Sequence, residues 1–327
     1  MIRVGIIGAG YFGAAHAIAI ADAQGVELVA ACRNDADAIA EFARQFSCRA
    51  YLDYHDLLAD PEIDAVVIAS PHHLHEKMAI EAARNGKHLL IEKPLGHNAA
   101  SCAAINDVIA ETGATMAVGH VMHFMRHIMT AQNIIASGRY GRPVAGNARM
   151  IKTWMQGNRR DWHLLPETGG GMLMTAGIHM LDALVWLMGS RVNGVSALSA
   201  SLQHQQAVDD TALISLRFAN GAFGQVQSIG YTNGAPTVDI DIICEGATLK
   251  LDADRGVMIG QNDKWEHVPD SSEPNAQHHA LVRQWESLRA AIKTAAPVAI
   301  DGQYAAHLID IVEAVSLANL NRREYAI

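Results

Sequence analysis

Cysteine is scarce in this 327-residue chain, and its four cysteines are widely scattered with no CxxC pair among them. Neither a disulfide framework nor a zinc knuckle is therefore expected, and reduced thiols in a cytoplasmic protein fit this usage best. Basic residues are also in the minority, with 25 Lys and Arg against 34 Asp and Glu and a formal charge of -9. This balance argues against binding to nucleic acid or to a membrane surface and leaves a small-molecule substrate as the expected partner.

Leader sequences and membrane spans are not expected either. The N-terminus, MIRVGIIGAG, enters a strand pattern and a glycine turn at once, which is not the pattern of a signal peptide. The most apolar helix candidate, MLMTAGIHMLDALVWLMG, contains His179 and Asp182. We expect it to be too short and too polar to cross a bilayer. Half of the residues are hydrophobic and 18% are charged, which is typical of a compact globular chain.

Two textures divide the chain near residue 120. Before that point, short β-branched runs such as IRVGII and DAVVIAS alternate with longer helical patterns. Such alternation predicts right-handed crossovers, and hence a doubly wound parallel sheet, a Rossmann domain, over residues 1–120. Beyond it, closely spaced extended segments with turn signals precede two amphipathic helices. This second pattern predicts an α+β domain over residues 121–327, built on a large open and mostly antiparallel sheet.

A glycine turn follows the first strand. The segment GAGYFG places Gly8, Gly10 and Gly13 in the GxGxxG spacing at the start of a helix. Gly8 permits the tight turn, Gly10 lets the backbone approach a pyrophosphate, and Gly13 allows close packing of helix and strand. The sequence therefore predicts a dinucleotide site that includes the intervening Tyr11 and Phe12. The alternative is a glycine turn required only for packing.

Cofactor preference depends on the end of the second strand, about 20 residues beyond the glycines, where ACRND places Arg33 and Asn34. An arginine pairs bidentately with a 2′-phosphate but offers no acceptor for a ribose hydroxyl. The sequence therefore favours NADP over NAD, with Arg33 and Asn34 at the ribose. The alternative is a solvated Arg33, with Asp35 or Asp37 taking the ribose.

Two further strand ends carry polar side chains. DAVVIAS ends in Ser70 and is followed by HHLH, and HLLI ends in Glu92 and Lys93. Ligands of open α/β sheets bind beyond the carboxyl ends of the strands, where a lysine can stabilise negative charge on a substrate oxygen. The histidines of HHLH lack helical i, i+4 spacing and a nearby carboxylate or cysteine, so no metal site is expected.

GAGYFG, SPHHLH, IEKP, SGRYGRPV and GGGMLMTAGIHMLD occur in an order and spacing that resemble the Gfo/Idh/MocA family of nicotinamide-dependent oxidoreductases. The resemblance covers nearly the whole chain. It implies that Lys93 is the catalytic-site lysine, lying between nicotinamide and substrate, and that His72 and His75 lie on the cofactor side. Pro94 would fix the chain direction there, with a cis bond as one way to do so.

A polar stripe interrupts the apolar helix TAGIHMLD. Thr175, His179 and Asp182 are spaced by four and three residues, which places them on one face of an α-helix. From the residues alone, a satisfied histidine at a domain interface is the favoured interpretation. The family resemblance implies instead that His179 is the base in oxidation and the acid in reduction, oriented by Asp182. Thr175 stands where many relatives carry an aspartate, which leaves the base assignment open between His179 and Lys93.

The resemblance also implies a substrate face. His123 stands where relatives commonly carry an arginine, and RRDWH supplies Arg160 and Trp162 ahead of a glycine run. An indole and a guanidinium suit stacking on a sugar ring or holding an anionic substituent. The alternative is that Trp162 fills an interface and the arginines are solvated.

Taken with the resemblance, these features predict an NADP-preferring dehydrogenase or reductase for a secondary alcohol of a sugar or cyclic polyol, assembled as a homodimer or homotetramer. Two other functions stay open. One is a nicotinamide-dependent glycosidase or lyase that returns the hydride to its substrate. The other is a regulator that binds the cofactor without turnover.

Overall fold

The computed structural model describes residues 1–157 and 159–327. The chain divides into two compact units, one of residues 1–121 and 278–309, the other of residues 122–277 and 310–327. The sequence prediction assigned all of residues 121–327 to the second domain, but residues 278–309 belong to the first unit. They return to the first unit because Trp285, 1% exposed, packs there and donates a hydrogen bond to His16.

A six-stranded parallel sheet organises the first unit, in the order β3-β2-β1-β4-β5-β6. Its consecutive elements are β1 (Ile2–Ile7), α1 (Tyr11–Asp22), β2 (Val26–Cys32), α2 (Ala36–Phe46), β3 (Arg49–Tyr51), α3 (Tyr54–Ala59), β4 (Ala65–Ile68), α4 (His75–Arg84), β5 (His88–Glu92), α5 (Ala99–Thr112) and β6 (Met116–Gly119). The central strand β4, AVVI, is buried at every position, as expected where helices cover both faces of a parallel sheet. The predicted Rossmann sheet is confirmed.

A nine-stranded sheet dominates the second unit, in the order β14-β13-β12-β11-β7-β10-β9-β8-β15. Its elements are α6 (Arg126–Ala136), β7 (Pro143–Thr153), α7 (Ile178–Met188), β8 (Val192–Ala200), β9 (Thr211–Phe218), β10 (Phe223–Tyr231), β11 (Thr237–Cys244), β12 (Thr248–Asp252), β13 (Gly256–Gln261), β14 (Lys264–His267) and β15 (Tyr325–Ala326). Among the described strands of this second sheet, only β7 and β10 pair in parallel, so the predicted open and mostly antiparallel sheet is confirmed. Two long helices, α8 (Ala276–Thr294) and α9 (Gly302–Asn321), lie near the end of the chain.

Helix α7 covers one face of this sheet and runs against the direction of β7. A side-chain carbon on Gly146 of β7 would lie 2.6 Å from Leu184, near the end of α7. At the other end, a side-chain carbon on Gly177 would lie 2.3 Å from Ser228 Oγ, and Ser228 pairs with Met150 of β7. Glycine is thus required at both positions because helix and strands approach too closely for a side chain.

The helical stretch that contains α7 is longer and more apolar than expected. The segment Pro166–Met188, 23 residues long, contains an 18-residue window with a mean hydropathy of 1.4, enough by length and composition to span a membrane. The expectation that this segment is too short and too polar was therefore wrong. However, 89% of that 18-residue window is buried inside the protein, as in a core helix packed on a sheet.

Candidate active site

The glycine turn has the geometry that its spacing predicts. Gly8 adopts φ +102°, and a side-chain carbon there would lie 2.5 Å from the Ala69 carbonyl oxygen. A side-chain carbon on Gly13 would lie 2.4 Å from the Gly8 carbonyl oxygen, because α1 packs directly on the turn. Gly10 differs, since nothing lies within 4 Å of the position its side-chain carbon would take. The turn is closed on its packed side and open at Gly10.

This open side fits the pyrophosphate of a dinucleotide. Gly10 is the N-cap of α1 and offers no side-chain cap, so amides of the first helical turn face outward. Close by, at the end of β4, Ser70 Oγ is buried and has no hydrogen-bond partner among residues 1–157 and 159–327. Tyr11 is 78% exposed beside the turn, whereas Phe12 packs edge-on against His16. Uncapped amides and an unsatisfied hydroxyl are both groups that a phosphate or ribose can satisfy.

The residues beyond β2 lie next to this turn. Arg33 is exposed, and its guanidinium donates to the Ala9 carbonyl within the glycine turn, 3.3 Å away. Asn34 is exposed as well. Asp35 caps α2 by accepting a hydrogen bond from the Ala38 amide at 3.0 Å. The helix cap therefore engages Asp35, one of the two alternative ribose ligands, whereas the other, Asp37, is exposed in the first turn of α2. The arginine is held over the turn.

A buried polar chain supports the end of β5. Glu92 and His16 are both buried, and the Trp285 indole donates to His16 Nδ1 at 3.1 Å. Nδ1 therefore accepts, so Nε2 carries the proton and donates to Glu92 Oε1 at 2.9 Å. The other Glu92 oxygen accepts from the Lys93 amide at 3.3 Å. His16 and Trp285 were not identified from the sequence. A histidine within the otherwise apolar helix α1 was the feature that could have indicated a buried polar contact.

Lys93 follows immediately, half-buried, at the carboxyl end of β5. The Lys93–Pro94 peptide bond is cis, which is the conformation anticipated from the sequence as one way for Pro94 to fix the chain direction. In the strand order, β4 lies between β5 and β1, the strand that leads into the glycine turn. With strands about 4.8 Å apart, the two strand ends are separated by about 10 Å within one sheet.

The two histidines expected on the cofactor side have different environments. His75 is fully buried, with Nδ1 2.8 Å from the Pro94 carbonyl oxygen and Nε2 3.0 Å from that of Ser70. Burial lowers its pKa. His75 thus ties the ends of β4 and β5 together, because both ring nitrogens face main-chain oxygens, and its assignment to the cofactor side stays a prediction. His72, 4% exposed, packs edge-on against His75.

In the second unit, a π-helical turn, Leu173–Gly177, leads into α7. Thr175 lies within this widened turn and is buried, whereas His179, in the first turn of α7, is half-buried. The single α-helical face assumed for these residues is therefore interrupted. Such π turns occur frequently at functional sites.

Asp182 has a partner that its spacing did not predict. Its Oδ1 accepts from His123 Nε2 at 2.6 Å, and both side chains are buried. The His123 ring also packs 4.4 Å from the Trp186 ring. The His123 ring therefore has structural partners in Asp182 and Trp186, and its assignment to the substrate stays a prediction. The contact is local in space but spans 59 residues of sequence.

The loop after β7 carries the remaining predicted residues. The Trp162 ring is half-buried and stacks 3.6 Å from that of His163, and the exposed Arg160 donates to the carbonyls of Gly157 and Arg159. These contacts preorganise both side chains. Lys152, near the end of β7, was missed, although it replaces an apolar residue in the strand alternation. Burial and, second, the charge of Arg159 lower its pKa.

Asp209 contacts the start of the helical stretch. Its Oδ2 accepts from the Leu173 amide at 2.9 Å. Desolvation, with a smaller contribution from the neighbouring Asp210, raises the pKa of Asp209 to about 6. The part of the chain that the structure describes contains no group of three His, Cys, Asp or Glu side chains arranged to hold a metal ion.

Family models match both parts of the chain. The model of an oxidoreductase family with an NAD-binding Rossmann fold matches residues 2–120, and that of the GFO/IDH/MocA C-terminal domain matches residues 128–250. An uncharacterized oxidoreductase of Bacillus subtilis is 31% identical over 233 residues, which is 69% of this chain and 67% of that protein.

Relatives with named activities are similarly distant. Levoglucosan dehydrogenase of Pseudarthrobacter phenanthrenivorans is 29% identical over 71% of this chain and 68% of its own length. A 2,7-anhydro-N-acetylneuraminate hydratase of Escherichia coli is 27% identical over 69% of this chain and 61% of its own. A solved levoglucosan dehydrogenase in complex with NADH shares the fold with a TM-score of 0.91, at 22% identity, over 100% of this chain and 99% of that one. The chain therefore belongs to the Gfo/Idh/MocA family of NAD(P)-dependent dehydrogenases and reductases.

Proposed function

We propose that this protein interconverts a secondary alcohol and a ketone on a sugar, cyclic polyol or related small molecule. The observation that carries the proposal lies within the first unit. The open glycine turn after β1, the buried Ser70 hydroxyl after β4 and Lys93 after β5 follow three neighbouring strands at the same edge of one sheet. In open α/β sheets this edge is where ligands bind.

Each residue has a distinct task in this proposal. Gly8, Gly10 and the first turn of α1 hold the pyrophosphate, and Ser70 satisfies a ribose hydroxyl. The nicotinamide, when bound, supplies the acceptor for a hydride in oxidation and its donor in reduction. The Lys93 ammonium donates a hydrogen bond to the substrate oxygen and stabilises its negative charge. His179 removes the hydroxyl proton in oxidation and returns it in reduction.

We further propose that the cofactor is NADP rather than NAD. The family model describes an NAD-binding Rossmann fold and does not support NADP. The proposed preference for NADP therefore depends on residues of this chain. Arg33 is held beside Ala9 of the glycine turn, and Asp35 is engaged as a helix cap. A guanidinium in that position pairs with a 2′-phosphate but offers no acceptor for a ribose hydroxyl.

A relative named as a hydratase favours one alternative, in which hydride leaves the substrate and returns to it within a single turnover. The experiment that separates the two functions follows absorbance at 340 nm. Purified protein is mixed with NADP+ or NAD+ and a panel of sugars and cyclic polyols, and products are identified by mass spectrometry. Net formation of reduced cofactor supports the dehydrogenase, whereas a changed product without net reduction supports the alternative.

Lys93 provides the decisive variant. Lys93→Ala is expected to reduce turnover by at least about a hundredfold, because one donor to a developing oxyanion contributes about that factor. Cofactor binding, measured by calorimetry, should persist. Lys77→Ala removes an exposed lysine of α4 and serves as the matched control. Near-parental turnover by Lys93→Ala would exclude Lys93 from the chemistry.

Assembly and location are part of the same proposal: a cytoplasmic homodimer or homotetramer. Leu198 of β8 and Leu213 of β9 are cross-strand partners, 70% and 44% exposed, and they line an open groove of about 810 Å³. Apolar area of this kind is typical of a surface that binds a second copy. Light scattering of the parent and of Leu213→Asp tests this. A monomeric parent at micromolar concentration would refute the proposal.

A further inference from the structure

Lys152 belongs to the apolar face of the second sheet. Gly146, Ala148 and Met150 of β7 alternate with more exposed positions and face α7, and the pairing of β7 with β10 is regular through Thr153. Because side chains alternate with a period of two, Lys152 lies on the same face as these residues. A lysine therefore replaces an apolar residue on the side of the sheet that the helix covers.

The register places Lys152 near the predicted site residues of this unit. Gly177 packs on Ser228, which pairs with Met150. Lys152 lies two residues farther along β7, about 7 Å, while the helix runs in the opposite direction. At 1.5 Å per residue, the same distance corresponds to about four helical residues before Gly177. Lys152 is therefore about level with Leu173, the first residue of the π turn and two residues before Thr175.

The surroundings of this ammonium are cationic. Arg159 lies over the Trp154 ring, with its guanidinium carbon 4.4 Å from the ring centre, and its Nε donates to the Trp154 carbonyl at 2.9 Å. Lys152 is half-buried, and no carboxylate or carbonyl of residues 1–157 or 159–327 pairs with its ammonium. The charge that acts on it is that of Arg159, which lowers its pKa in addition to burial.

Burying an unpaired charge beside a like charge costs stability, and structural lysines avoid it by pairing. Lys87 shows the contrast within this chain, since its ammonium donates to the carbonyls of Asp60 and Ile63 at 2.7 and 2.8 Å. A half-buried cation without such a partner is suited to an anionic ligand.

We propose that Lys152, supported by Arg159, binds an anionic substituent of the substrate, so that the enzyme acts on an acid or phosphate ester of a sugar or cyclic polyol. This inference rests on the proposed function and narrows its substrate class. Lys152 is here a specificity residue that contacts the substrate away from the reacting carbon.

The test uses matched probes and the full chain. D-Glucitol, D-gluconate and D-glucitol 6-phosphate form one series, and myo-inositol and quinate form a second. For each probe, kcat/KM is measured at 340 nm, and binding to the NADPH-loaded protein is measured by calorimetry. The variants are Lys152→Met, which removes the charge, Lys152→Arg, which retains it, and Lys264→Met, which removes an exposed lysine of β14 as a control.

The parent is expected to prefer an anionic member over its neutral counterpart by about tenfold or more, the effect of one charge-assisted hydrogen bond. Lys152→Met should abolish that ratio, Lys152→Arg should retain most of it, and Lys264→Met should match the parent. Whether the carboxylate or the phosphate probe is preferred shows which anionic group the substrate carries. Equal affinity for neutral and anionic members, or an unchanged ratio in Lys152→Met, would overturn the proposal.

Stability supplies a second readout. Because Lys152→Met removes an unpaired, half-buried charge, its Tm should equal or exceed that of the parent, and an anionic probe should raise the Tm of the parent but not that of Lys152→Met. A Tm well below that of the parent would indicate a structural lysine and overturn the proposal. Calorimetry detects the anion preference even if no probe is turned over. Binding without turnover would count against the dehydrogenase function and not against anion binding by Lys152.

Discussion

His16 Nε2 lies 2.9 Å from Glu92 Oε1, and both side chains are buried in the first unit. The Trp285 indole fixes the histidine tautomer, so the imidazole is a neutral donor to the carboxylate. Glu92 also accepts from the Lys93 amide. One chain of hydrogen bonds therefore joins α8, α1 and the end of β5, where the proposed catalytic lysine lies.

Replacement of His16 should show how much stability is lost when the buried Glu92 carboxylate has no hydrogen-bond donor from this side chain. His16→Leu leaves Glu92 buried without its donor, and we expect the free energy of unfolding to fall by about 3 kcal/mol. Urea denaturation measures the change. His278→Leu breaks a similar contact, 2.8 Å from Asp22 on the surface, and should change stability little. Equal effects of the two variants would contradict the assigned role of the His16–Glu92 pair.

Arg33→Asp tests the cofactor proposal. The change removes the guanidinium beside Ala9 and introduces an acceptor for a ribose hydroxyl. The ratio of kcat/KM for NADP+ to that for NAD+ should fall by about tenfold or more, because a charge-assisted pair is replaced by repulsion of the 2′-phosphate. Arg44→Asp, an exposed arginine of α2, makes the same charge change as a control. An unchanged ratio would refute the NADP preference.

His123→Phe separates a structural from a substrate-binding histidine. The aromatic ring can still pack on Trp186, but Asp182 loses the donor at 2.6 Å. We expect a loss of about 3–5 kcal/mol in unfolding free energy, the usual cost of removing one partner of a buried pair. Thermal and urea unfolding measure it. Unchanged stability together with a raised KM would instead assign His123 to the substrate.

Acid should destabilise the second unit through His127. Burial lowers the pKa of His127 to about 4 from its ordinary 6.5. Between these values the unfolded chain binds a proton that the folded chain does not, so stability falls as pH falls from about 6.5 to about 4. The full effect is about 3 kcal/mol.

Comparison of variants isolates this contribution, since the raised pKa of Asp209 acts in the opposite sense. His127→Leu should lose less unfolding free energy than the parent between pH 7 and pH 4.5. His267→Leu, an exposed histidine of β14, should follow the parent. Parallel curves for parent and His127→Leu would show that His127 does not titrate in this way.

Local rules explain most of what could be predicted. Strand and helix periodicity gave the parallel and antiparallel sheets, and the glycine spacing gave the turn, because φ angles and close approaches depend on residues near in sequence. The pairings that sequence patterns did not predict join residues far apart in the chain. His75 meets the carbonyl of Pro94, and Asp182 meets His123, through strand order and helix packing.

By itself, the sequence determined the family, the fold class and the position of Lys93 at a strand end, since these depend on composition, periodicity and motif order. The tertiary structure alone decided which polar groups are paired. Trp285 reaches His16 across 269 residues, whereas Lys152 has no such partner within the described chain. The physical reason is that burial makes every unpaired polar group costly, and only the folded chain shows which groups are buried and what lies beside them.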